Sequence, residues 1–162
     1  MRKFLLALPI LVFPLIAQAE DKPTHASEAM IQATEKRFFP KYCAEGVKGL
    51  AADVYDCYLH TKDTDPKKEE CMIGDFMTVA ISTRANERAV ALGETPKYNI
   101  PFFIAPKMRE RVDNFITQNQ KFKDYNQEEY INYLSQTLNT MIDDFQRLYK
   151  KTRGNCSAFF KP

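Results

Sequence analysis

Four cysteines, Cys43, Cys57, Cys71 and Cys156, are the residues of this chain whose type and spacing most directly prescribe chemistry, and the chemistry is disulfide formation. No Cys-x-x-Cys occurs, so neither a redox dithiol nor a covalent haem attachment is expected. Cys43, Val47, Leu50, Val54 and Cys57 recur at helical intervals. On one continuous helix from Pro40 to His60, Cys43 and Cys57 would stand roughly 21 Å apart, too far to bond. Cys57 and Cys71 flank a polar stretch at 61–65, where a helical hairpin would bring them side by side. Cys43 is then left for Cys156, because pairing Cys43 with Cys71 would again demand a span of several turns. In the chain-entropy picture the short loop contributes about 3 kcal/mol and the long one about 4 to 5 kcal/mol.

Other reactive combinations are missing. Neither His25 nor His60 has a glutamate three residues before it, as a bundle-core metal pair needs, and the methionines are scattered, so no metal and no cofactor are expected. Asp56-Cys57-Tyr58 resembles part of the His-Asp-x-Cys-Tyr run of secreted phospholipases A2. The likeness stops at three residues, since the histidine and the glycine-rich calcium loop are absent. There is no Gly-x-Ser-x-Gly turn and no histidine placed to serve a nucleophile. The expectation is a protein that binds and is not an enzyme. Asp75, Ser82 and Asn86 lie on the Cys71 side of an apolar helical stripe and form a core network or a pocket wall. The apolar connector carrying Tyr98, Ile100, Phe102, Phe103 and Ile104 is a candidate partner-binding loop. Arg147, Lys150, Lys151 and Arg153, with Phe159 and Phe160 beyond, make a basic helix end.

The N-terminus says where such a protein works. Arg2 and Lys3 precede an apolar run from Phe4 to Ile16, and Ala17-Gln18-Ala19 follows, the layout of a cleaved secretory signal over residues 1–19. The run is shorter than the ~20 residues a spanning helix needs, so no transmembrane segment is expected after signal removal. The full chain has 23 basic and 21 acidic residues. The signal holds two of the basic ones, leaving a neutral remainder poorly suited to nucleic acid, whose affinity rests on many phosphate contacts. Export to the periplasm or the extracellular space is also where disulfides persist.

The elements that must position these residues read as helices. Ser27 caps a short helix to about Phe38, with a break or kink at Phe39-Pro40. The Pro40–His60 helix follows. Asp65-Pro66 opens a helix with a stripe of Met72, Phe76, Val79, Thr83 and Val90, stopped by Gly93. Pro96, Pro101 and Pro106 exclude regular helix from 94 to 106. Met108, Val112, Phe115, Ile116 and Phe122 mark a helix ending near Lys123. Asn126 and Glu129 form a capping box for the last helix, whose stripe is Tyr130, Leu134, Leu138, Met141, Phe145 and Leu148, closed by Gly154. No segment alternates as a strand does. Residues 20–162 are therefore expected to form a single all-α domain, a disulfide-stapled up-down-up-down four-helix bundle with a short extra N-terminal helix. Function is expected to be binding of another protein, as an inhibitor, chaperone or immunity-type protein does; the alternative is carriage of a small apolar ligand in the bundle core.

Overall fold

The computed structural model describes residues 22–151, apart from the side chains at positions 145, 146 and 148–151. The expected signal at 1–19, the pairing of Cys156, and Arg153, Gly154, Phe159 and Phe160 lie outside the described residues. The side chains of Phe145, Leu148, Lys150 and Lys151 do too.

Every regular element among the described residues is helical: α1 (Glu28–His60), α2 (Lys68–Ala91), a 3-10 turn (Pro101–Phe103), α3 (Ala105–Gln118) and α4 (Gln127–Lys151). Local capping chemistry sets several boundaries as expected. The Ser27 hydroxyl accepts from the Met30 amide at 3.3 Å. At the start of α4 the Asn126 side chain accepts from the Glu129 amide at 2.9 Å while the Glu129 carboxylate accepts from the Asn126 amide at 2.8 Å. After α2 the Glu94 amide donates back to the Ala89 carbonyl at 2.8 Å across Gly93, the bond that seals a helix C-terminus.

The first helix departs from expectation. Pro40 lies inside α1, and the chain turns instead at Gly46, whose φ of 66° and ψ of −153° are not helical. Phe38 and Phe39 are both buried, and their packing carries the helix across the one hydrogen bond that proline removes. Gly46 can take a backbone conformation that side-chain-bearing residues avoid. The two arms, 28–45 and 47–60, fold back on each other. Phe38 from one and Val54 from the other both press on Gly74 of α2, where an added Cβ would meet them at 2.7 and 2.8 Å. The N-terminal arm is thus longer than the short helix expected, and Cys43 and Cys57 are not on one continuous helix.

Cys57 and Cys71 are bonded, with Cα atoms 5.6 Å apart, and join the second arm of α1 to the start of α2. The connecting turn is locked by Lys68, whose buried ammonium reaches the Thr61 carbonyl and the Asp63 carboxylate, both at 2.9 Å. Cys43 is not a free thiol.

The core gathers Phe38, Leu50, Val54, Met72, Ile73 and Met77 from α1 and α2 with Val112, Phe115, Tyr130, Leu134 and Met141 from α3 and α4. Helix edges differ from the periodic reading: α2 begins at Lys68 and not at Pro66, and α3 begins at Ala105, with Pro106 accommodated in its first turn. Thr83 and Val90 are exposed, so the stripe of α2 leaves the core after Ser82. Helix α3 stops at Gln118, short of Lys123, because Asn119 turns the chain and its side chain accepts from the Lys121 amide at 3.0 Å. Phe122 still reaches the core from this turn, against Phe115 and Tyr130.

Candidate functional site

Asp75 is the most deeply placed of the expected polar residues, with no exposed surface. A buried carboxylate requires partners. Arg111 of α3 supplies a two-point contact, at 2.7 Å to one oxygen and 2.9 Å to the other, and the Tyr58 hydroxyl donates at 3.0 Å. Burial raises the Asp75 carboxyl above its ordinary value, and the bonds to Arg111 and then Tyr58 pull against it. The same guanidinium donates to the Phe102 carbonyl at 2.8 Å and lies 3.9 Å from the centre of the Phe102 ring. One ion pair therefore fastens α2, α3, the second arm of α1 and the 3-10 turn.

Ser82 and Asn86 do not join this network. Ser82 donates to the Val79 carbonyl of its own helix. Asn86 clasps the connector: its side-chain oxygen accepts from the Lys97 and Tyr98 amides at 3.1 and 3.0 Å, and its nitrogen donates to the Tyr98 carbonyl at 2.9 Å. Tyr98 and Ile100 are half-buried by this arrangement.

The two phenylalanines of the connector have different surroundings. Phe103 is a core residue, 5 % exposed. Phe102 is half-buried, its ring set edge-on to Tyr55 at 5.2 Å, Tyr58 at 5.6 Å and Phe103 at 4.8 Å. Beside it, Ile104 is 39 % exposed. Tyr55 is 46 % exposed, and Leu59, one turn further along the same face, is 64 % exposed. Few large apolar side chains are this exposed among the described residues, and three of them fall on or next to the Phe102 contact.

Two hollows border the first arm of α1. An apolar one of about 260 Å³ is lined by Phe39, Tyr42, Met77, Ile81, Leu138 and Met141. A polar cleft of about 640 Å³ includes His25, Ile31, Glu35, Thr140, Asp144 and Arg147. Glu35 has one carboxylate oxygen that is buried and accepts no hydrogen bond among the described residues. Burial first, then Asp144, push this carboxyl up to about 7, with Arg147 opposing. Arg147, expected in a basic helix end, is paired to Asp144 at 2.5 Å. His60 caps its own helix end through the Asp56 carbonyl at 3.0 Å.

Arg111, Tyr55, Leu59 and Glu35 escape a motif search, though traces exist. Glu35 stands four residues after Ile31 and three before Phe38, inside an apolar stripe, and Arg111 directly precedes Val112 in another.

The class these features define is an all-helical, disulfide-stapled domain with an aromatic patch and two hollows. No protein-family model, curated protein or solved structure matches the chain.

Proposed function

We propose that this chain is an exported protein of the periplasm or extracellular space that acts by binding another protein, in the manner of an inhibitor, a chaperone or an immunity protein. It is not read as an enzyme. Its helices are taken to form the stapled up-down-up-down bundle, with the first arm of α1 laid alongside. The signal-like N-terminus and the Cys57–Cys71 bond support export to an oxidising compartment.

The observation that carries protein binding is the patch of Tyr55, Leu59, Phe102 and Ile104. Binding energy concentrates in a few anchored aromatic and apolar side chains, and anchors that are already ordered lose little freedom on association. Phe102 is held by three rings and a guanidinium, and Leu59 lies two residues from the disulfide at Cys57.

The test is quantitative capture of the partner by the mature protein, comparing wild type with Tyr55→Ser/Leu59→Ser. Both positions are exposed, so stability should change little while capture falls at least about tenfold, the ~1.4 kcal/mol loss of one modest hot spot. Undiminished capture removes this face from the reading.

The apolar hollow favours a second reading, carriage of a small apolar ligand. At about 260 Å³ it exceeds the ~150 Å³ cavity that holds benzene. Titration with indole, followed at the Met77 and Met141 methyl resonances, tests it; no saturable shift would exclude ligands of that size.

A further inference from the structure

The polar cleft between the first arm of α1 and α4 has its own chemical logic, independent of the aromatic patch. Most of its polar side chains are satisfied within the wall. Glu28 accepts from Gln32 at 3.1 Å, Asp144 from Arg147 at 2.5 Å, and the His25 ring shares a hydrogen with Thr24 at 3.1 Å. Glu35 is the exception: its Oε1 is buried, is an acceptor, and has no donor among the described residues. A buried acceptor left in that state is destabilising, more so when charged, and calls for a donor from elsewhere.

The wall specifies that donor. Among the described residues, Glu28, Glu35 and Asp144 outweigh the one guanidinium, that of Arg147, which is already engaged, so an anion is disfavoured. No group of three or more His, Cys, Asp or Glu side chains able to hold a metal ion occurs among the described residues. Ala26 and Ile31 add apolar floor beside the carboxylate, which suits a hydrocarbon body. About 640 Å³ is room for an organic ion with its water. We propose that this cleft binds an organic ammonium ion, which donates a hydrogen bond to Glu35 Oε1 and lays its carbon chain on Ile31 and Ala26. The ammonium comes either from a free alkylamine or from the lysine side chain of a peptide.

Proton linkage gives the site a signature. Among the described residues the groups facing Glu35 are Asp144 and Arg147 from α4, Glu28 from its own helix and His25 from the irregular segment before α1. With its carboxyl held at about 7, Glu35 is largely protonated at pH 5.5 and largely ionised at pH 8. An ammonium ion needs the ionised form, so its affinity rises with pH, by up to about 30-fold between those values.

The experiment titrates the mature, disulfide-intact protein with pentylamine and, separately, with Nα-acetyl-lysine amide, following backbone amide resonances at pH 8 and pH 5.5; 1-pentanol is the uncharged control. Saturable shifts centred on Ile31, Glu35 and Thr140 at pH 8, weakened at pH 5.5 and absent with pentanol, are expected. Whichever amine binds more tightly identifies the source. Glu35→Gln should reduce affinity at least about tenfold and remove the pH dependence. Thr140→Trp, at an exposed position on the cleft wall, should block binding with Glu35 intact and decides the matter if the Gln variant does not fold. No saturable shift at pH 8, equal response to pentanol, or binding unchanged in a folded variant overturns the proposal.

Discussion

Replacing Arg111 with methionine should be among the most damaging single changes on the helix surface. The Asp75 carboxylate it faces has no solvent contact, and the arginine side chain itself is only 16 % exposed. Methionine fills most of the aliphatic volume but leaves Asp75 with the Tyr58 hydroxyl as its remaining donor. Removing one partner of a buried pair typically costs about 3 to 5 kcal/mol, because the other charge stays buried and unpaired. In a domain of this size that lowers the melting temperature by roughly 10 to 20 °C. Urea unfolding followed by circular dichroism measures it. The pH dependence identifies the cause: without Arg111 the Asp75 carboxyl rises further, so it is easily protonated in the folded variant. The penalty should therefore shrink from pH 7 to pH 4.5. A double variant, Asp75→Leu/Arg111→Met, should recover most of the loss, since apolar replacement of a buried pair is often neutral or better. A loss in Arg111→Met below about 1 kcal/mol, or one that does not change with pH, would refute the argument that this pair holds the 3-10 turn and its aromatic patch in place.

Gly46→Ala should destabilise by about 1 to 3 kcal/mol in urea unfolding, since φ of 66° with ψ of −153° strains any residue with a side chain. Gly74→Ala should lose a similar amount, about 1 to 3 kcal/mol, by overpacking against Phe38 and Val54, and pairing it with Val54→Ala should restore part of it. Opening the Cys57–Cys71 bond by a double serine replacement should cost about 3 kcal/mol for a loop of 14 residues, read as a drop in melting temperature under non-reducing conditions. Glu35 makes stability fall as pH rises. Its folded carboxyl titrates at about 7 against an ordinary 4.5, so the stabilisation is complete below 4.5 and is lost as pH climbs through 7. Glu35→Gln should flatten the melting temperature over that interval, and an unchanged slope would mean that Glu35 is not desolvated.

What the chain dictates on its own lies within a turn or two of sequence. Ser27, the Asn126–Glu129 box and the stop at Gly93 are legible because each bond they make closes within a few residues. The Cys57–Cys71 bond is legible for the same reason, its two ends being carried by helices that share one short turn. The tertiary structure alone decided the rest. Proline marks a position where a helix loses a hydrogen bond, but whether it breaks there depends on what holds its neighbours, and buried Phe38 and Phe39 keep α1 intact past Pro40. The fold-back fell to Gly46, where a lone glycine carries no periodic signal. Within the connector, alternation could not say which phenylalanine enters the core. Phe102 is oriented by Arg111, and that arginine is itself placed by an aspartate 36 residues away. Glu35 lies on an apolar stripe in the sequence, yet its carboxyl is raised first by burial in the tertiary structure and then by Asp144 arriving from α4, with Arg147 pulling the other way. Charge and desolvation act through space, so the partners that set them cannot be found by counting along the chain.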